Sequence, residues 1–332
     1  PGRYDEEWVV VLDDWIDGTG RTPDDVLAGL RERGRAGGDG GMGGMPGMGG
    51  MDHGAMPGMG GAGAPLLGGD GGDVAYPHYV INGRLATAPR VLTGRPGQRV
   101  RVRVVNAASD TAFRVALGGH QLTVTHSDGY PVTLARTDAL LIGMGERYDV
   151  EVTLGDGVFP LVALAEGKTG QALALVRTGA GRRPPADVRP AELDRRVLTG
   201  TDLVADPAVR LSRGPVDRRH DLVLAGSMTP YRWTINGATF PDTTPLPVAQ
   251  GERVRLRLMN MSTMFHPMHV HGHTFGLVGG GARKDTVIVR PMQTLDVDLD
   301  ADNPGQWATH CHNVYHAETG MMVVLSYRET RP

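Results

Sequence analysis

Alternation of charged and apolar positions sets the character of this chain. Residues 99–105 and 253–258 alternate between arginine and an aliphatic residue, broken only by Val104-Val105. A period of two puts the arginines on one face and the aliphatics on the other, as in a half-exposed β-strand. Glu7-Trp-Val-Val-Val-Leu12 is apolar after its first residue and predicts a buried strand, with a turn at Asp13-Asp14-Trp15. Residues 23–33 predict a short helix, with Thr22 as N-cap and Pro23 at the first helical position.

The pattern also repeats. Tyr79-Val-Ile-Asn-Gly83 matches Trp233-Thr-Ile-Asn-Gly237, and 97–106 matches 251–260 at the same offset. Gly119-His120 pairs with Gly272-His273, and Asp138 to Val152 follows Asp285 to Leu299. Short strands separated by turn residues, twice over, predict an all-β protein of tandem β-sandwiches of about 100 residues each. The copies span 73–178 and 216–329. Between Gly34 and Gly72 the chain is mostly Gly, with Met and Pro at intervals, and reads as a flexible linker or insertion. The Arg- and Pro-rich stretch 179–215 reads as a second linker.

Composition narrows the function classes. A formal net charge of −3 over 332 residues points to neither nucleic acid nor an anionic membrane surface. No apolar run approaches the roughly 18 residues of a membrane span. The single cysteine, Cys311, excludes an intrachain disulfide. The chain starts at Pro1 without initiator Met or signal peptide, which suggests processing or truncation. Glycine runs such as Gly43-Gly-Met-Pro-Gly lack the Lys-Ser/Thr and following helix of a phosphate-binding loop.

The chemistry concentrates in two clusters: His266-Pro-Met-His269-Val-His271, and His310-Cys311-His312 followed by His316 and Met321. On a strand, residues two apart share a face. His310 and His312 therefore face one way and Cys311 the other; His269 and His271 share a face, and His266 can turn away from them. One site then gathers Cys311, His266, His316 and Met321, the thiolate, two imidazoles and weak thioether of a blue-copper centre. The other gathers His269, His271, His310 and His312, an all-imidazole group suited to copper that binds oxygen. The first copy provides a control, because Val162-Ala163-Leu164 stands where the second has His310-Cys311-His312. Phe113, Ala116 and Gly118 fall on or near the places of the other histidines. Only the second copy is expected to bind metal.

With these motifs in place, the sequence resembles the bacterial three-domain multicopper oxidases, laccases and cuprous oxidases among them. The resemblance also takes in Leu12-Asp-Asp-Trp15 and Met144-Gly-Glu-Arg-Tyr-Asp149. It implies cupredoxin-like Greek-key sandwiches. It assigns His266, Cys311 and His316 to type 1 copper with Met321 axial, His269 to type 2 copper, and His271, His310 and His312 to the type 3 pair. It implies one-electron oxidation of a phenol or a low-valent metal ion, Cu(I) favoured, coupled to reduction of O2 to water, with electrons passing through Cys311. Two His-x-His motifs of a first domain are not found. The resemblance therefore gives residues 1–15 to the end of a missing first cupredoxin domain and 16–72 to a linker with a Met- and Gly-rich insertion. A domain 1 fragment or second chain would supply the remaining ligands. Ala317 occupies the place of an acid that often follows the second type 1 histidine, leaving proton supply to Glu318 or to an acid in the missing domain. Periplasmic or extracellular location is implied by the family alone.

Met42, Met45, Met48, Met51, Met56 and Met59, with His53, offer soft thioethers for Cu(I) in a segment with no core to fill. Met264 fits the place of a substrate-holding Met, whereas Ser262 stands where cuprous oxidases have an acid. Asp285 is expected at a turn or strand end, since its counterpart Asp138 lies in the copper-free copy. His120, matching His273, argues the same for that pair. His78, His126 and His220 are expected to be surface or core residues. The competing reading is a non-enzymatic blue-copper carrier or copper-sequestering protein. A two-domain copper nitrite reductase fits less well, because the first sandwich has no copper ligands.

Overall fold

The structure is a computed structural model that describes residues 4–36, 63–212 and 214–327. Two cupredoxin-like sandwiches follow one another, as the repeat predicts. In the second, Arg253–Asn260 lies between Arg218–Met228, to which it is parallel, and Thr294–Asp300, to which it is antiparallel. Its other sheet runs Leu246–Val248, Met322–Tyr327, Gln306–Cys311, His266–Val270, Thr286–Val289. The first sandwich repeats both orders. There Arg99–Asn106 lies between Glu6–Trp15, parallel, and Arg147–Thr153, antiparallel. Val102, Val104 and Val150 from this sheet face Val115, Leu140 and Leu161 from the other across the core.

The arginine faces of the alternating strands are covered by acids on the next strand. Arg253 and Arg255 bind Asp300 and Asp298 at 2.6 and 2.7 Å, and Arg101 pairs with Asp149 in the first copy. The repeated Asn-Gly corner has the same job twice. Asn82 and Asn236, at φ +49° and +54°, each accept a backbone N–H with Oδ1 and donate through Nδ2 to a carbonyl two residues earlier on the same strand.

Three boundaries differ from expectation. Glu6–Trp15 is a strand of the first sandwich, in the position that Arg218–Met228 holds in the second, and does not belong to an upstream domain. Its last residues, 13–15, are paired with 78–80, so tertiary pairing overrides the turn chemistry of Asp13-Asp14. The helix Pro23–Ala36 is capped as predicted, with Thr22 and Asp25 exchanging side-chain and backbone bonds. Neither linker is loose where it is described. Leu67 is fully buried, Leu193, Leu198 and Leu203 are buried, and strand Val197–Leu198 pairs with 139–140.

Candidate metal centre

Two neighbouring strands of the second sandwich carry most of the site. His266–Val270 and Gln306–Cys311 run antiparallel with Met268 opposite Cys311 and His269 opposite His310. That register sets Cys311 on the inner face and His310 on the other. The chain then turns at Asn313, whose side chain accepts from the N–H groups of Tyr315 and His316 and starts the short helix Val314–Glu318. This turn brings His316 back over Cys311.

Inside the sandwich, Cys311 Sγ lies 3.6 Å from His266 Nδ1 and 3.5 Å from His316 Nδ1, and the two Nδ1 atoms are 3.1 Å apart. The corners of this triangle lie about 2 Å from its centre, the length of a metal–imidazole bond. All three residues are fully buried. Both imidazoles are held from behind: His266 Nε2 is 2.8 Å from Ser262 Oγ, and His316 Nε2 is 2.8 Å from Asp73 Oδ2. With Nε2 so engaged, Nδ1 is left to bind a metal. Burial, with His316 alongside, holds His266 well below the usual imidazole range. Burial acts on His316 in the same sense, but Asp73 outweighs it and carries the group up to about 10. Met321 is fully buried, and its backbone bonds both Cys311 and His316.

On the opposite face the four remaining imidazoles form a second group. Ring centroids are 4.8 Å apart for His269 and His271, 5.0 Å for His271 and His310, and 5.9 Å for His310 and His312. His271 Nε2 and His310 Nε2 approach to 2.9 Å. His310 Nδ1 donates to the Cys311 carbonyl at 2.8 Å and His269 Nδ1 to the Asp285 carbonyl at 2.9 Å, which turns each Nε2 toward the cluster. Burial lowers His271, His310 and His312, His310 to about 4, and the neighbouring imidazoles add to the effect. These groups are neutral near pH 7, as metal ligands must be.

Other expected residues lie elsewhere. Glu318 is exposed at the end of its helix, where its carbonyl accepts from Arg31. Met264 is buried, its carbonyl held by Asn260 and Ser262. Asp285 does more than end a strand: its carbonyl orients His269, and its carboxylate takes two bonds from Arg147 at 2.6 and 2.7 Å. His273 bonds Tyr327, and His120 accepts from the Gly155 N–H; both serve packing. Met42, Met45, Met48, Met51, Met56 and Met59 lie outside the described residues. Asp73, Ser262 and Gly145 were missed as partners of the site. A Cβ at Gly145, φ +81°, would come within 2.5 Å of the His312 ring, so only glycine lets the first sandwich approach so closely. Asp73 and Gly145 act through contacts with distant parts of the chain, and Ser262 acts on His266 from four residues away.

Residues 51–181 and 214–331 each match a family model described as multicopper oxidase. The chain belongs to the multicopper oxidases. It is 49% identical to the multicopper oxidase MmcO of Mycobacterium tuberculosis over 98% of this chain and 63% of that protein. It is 26% identical to a copper resistance protein A homolog of Pseudomonas syringae pv. tomato, over 76% of this chain and 58% of that protein. The chain thus spans about three-fifths of these curated relatives. Among solved structures, Fet3p aligns with a TM-score of 0.76 at 18% identity, over 98% of this chain and 66% of that one. The Botrytis aclada laccase aligns at 0.68 and 20%, over 98% and 64%. At these identities the structural matches establish the fold.

Copper is the cofactor of this multicopper oxidase family, and the donor set fits it. A buried thiolate with two imidazoles suits a copper that cycles between two valences, and the imidazole group suits copper that meets oxygen.

Proposed function

We propose that this chain carries the type 1 copper site and half of the trinuclear site of an oxidase that couples one-electron oxidation of phenols or low-valent metal ions to reduction of dioxygen to water. The observation that carries the reading is the two-faced strand end at 310–312: Cys311 meets His266 and His316, while His310 meets His271. When bound, copper takes up electrons one at a time and delivers them to dioxygen. The protein's residues do the rest. His266, Cys311 and His316 would hold the accepting ion away from water, and Met321, buried beside them, would add a weak thioether donor. Cys311 and its peptide neighbours form an unbroken covalent route between the two groups. His269 would hold the type 2 ion, and His271, His310 and His312 the type 3 pair. Four imidazoles are too few for three ions, so this reading requires further histidines from a domain 1 segment or second chain. The Met-rich residues 42–59 favour Cu(I) as reductant, and relatives named for copper resistance agree with that preference. Export to the periplasm or cell exterior follows from the same family setting, and no helix among the described residues is long and apolar enough to cross a membrane.

Copper content, visible absorption and oxygen uptake test the proposal together. An intense blue band, with oxygen consumed once the missing histidines are supplied, is expected. A blue band at one copper per chain, with no oxygen uptake under any supplementation, would make it a carrier.

A further inference from the structure

The first sandwich reaches the Cys311 centre through carboxylates: Asp73 bonds His316 directly, and Asp110 stands behind it. Asp110 follows the strand Arg99–Asn106 and is completely buried. It accepts four hydrogen bonds: from Asn313 Nδ2 at 2.5 Å and Asp73 N at 3.1 Å on Oδ1, and from Lys168 Nζ at 2.6 Å and Val74 N at 3.0 Å on Oδ2. Two of these donors lead to the same imidazole. Asn313 holds the backbone N–H of His316, and Asp73 holds its ring Nε2. Asp73 also accepts from Tyr231 at 2.6 Å.

Asp110 is itself held. Asp14, on the strand Glu6–Trp15, accepts the Ser109 and Asp110 N–H groups at 2.8 and 3.1 Å. Gly72, φ +123°, has to be glycine: a Cβ there would lie 2.6 Å from Asp110 Oδ2 and 2.9 Å from Lys168 Nζ. Val314 N donates to the Ser109 carbonyl at 3.0 Å, a further bond from the same loop to the helix that carries His316. Packing alone would not need a charged acceptor for four donors at this point. The corresponding place in the second copy is Thr263, which carries no charge: Phe113 faces Ile142 as His266 faces Val289.

We infer that Asp110 is the positioning residue of the type 1 site: it fixes Asp73 and Asn313 together, and through them sets the orientation and donor strength of His316. This rests on the type 1 reading above. A carboxylate that accepts from the far nitrogen of a ligating imidazole makes that imidazole a better donor and favours the more highly charged ion. Loosening Asp73 should therefore raise the reduction potential.

The test uses the whole chain loaded with copper. An unmodified chain that shows no intense blue band refutes the type 1 reading itself, separately from the role of Asp110. Given the band, Asp110→Asn should keep it, move its maximum and raise the potential. Asp298→Asn, which breaks the Arg255 pair on the outer face, should lower the melting temperature without moving either. Adding Asp110→Asn to Asp73→Asn should shift the potential no further than Asp73→Asn alone, since linked residues are not additive. If Asp110→Asn fails to fold, the same readings are made on Asp110→Asn/Lys168→Met, which removes both charges of the buried pair. An unchanged potential in whichever variant folds, or full additivity with Asp73→Asn, would overturn the inference.

Discussion

Cys311 and His310 are adjacent in sequence and serve different groups, so single substitutions at them should separate the two. Cys311→Ser removes the only sulfur from a triangle otherwise made of two imidazoles, and keeps the backbone bond to Met321. The expected outcome is a folded chain without intense visible absorption; a blue band that survived in the copper-loaded variant would refute the assignment. His310 makes a claim about the metal-free protein. Its folded pKa of about 4 lies below the ordinary imidazole value, chiefly through burial. Between those values the unfolded chain binds a proton that the folded chain refuses, so stability falls as pH drops through about 6.5 to 4. His310→Asn should flatten that part of the profile, as urea midpoints at pH 7 and pH 4.5 would show. The ligand triangle was legible at this scale because strand alternation sorts Cys311 from its neighbours. Asp73 was not, since nothing in its sequence surroundings announces a bond across 243 positions to His316.

At the scale of elements, the repeat shows how the first sandwich departs from the second. In the second copy, Arg218–Met228 and Tyr231–Ile235 are joined by a two-residue corner. In the first, the equivalent pair Glu6–Trp15 and His78–Ile81 is interrupted by everything from 16 to 77, including the helix and the methionine-rich stretch. The stretch therefore runs between two paired strands, which fits the insertion that composition left open beside a linker. Composition leaves linker and insertion both open, because a low-complexity run looks the same in either place. Only pairing with Arg99–Asn106 shows which side of the insertion owns residues 6–15. The helix was readable from its cap alone. Thr22→Ala should cost about 1 kcal/mol, the ordinary loss for a capping side chain, measured by denaturant unfolding. The loss should appear without change in the blue band, because the cap makes no bond to the ligand set.

Across the whole molecule, the two sandwiches meet through buried charge as well as apolar packing. Lys284, from the second, is completely buried between Asp128 and Glu146 of the first, each at 3.2 Å, and donates to Ser127 at 2.7 Å and Tyr148 at 3.2 Å. Burial alone would pull its pKa down, but Asp128, Tyr148 and Glu146 hold it well above the usual lysine value, so the ammonium stays charged. The same loop supplies Gly145 against His312 and Arg147 against Asp285, so the contact that joins the sandwiches also braces the imidazole group. The tandem architecture could be read from the repeat, but this junction could not, because Thr137 stands opposite Lys284 in the first copy and carries no charge. Lys284→Met would leave two carboxylates without their shared cation and should cost about 3–5 kcal/mol. Replacing Glu146 by Gln as well removes one uncompensated charge and should recover part of that loss. Chemical denaturation of the single and double variants distinguishes the cases. A loss no larger than that of an exposed pair would mean that the junction is held by apolar packing, and that Arg147 and Gly145 brace the histidines without help from the buried lysine.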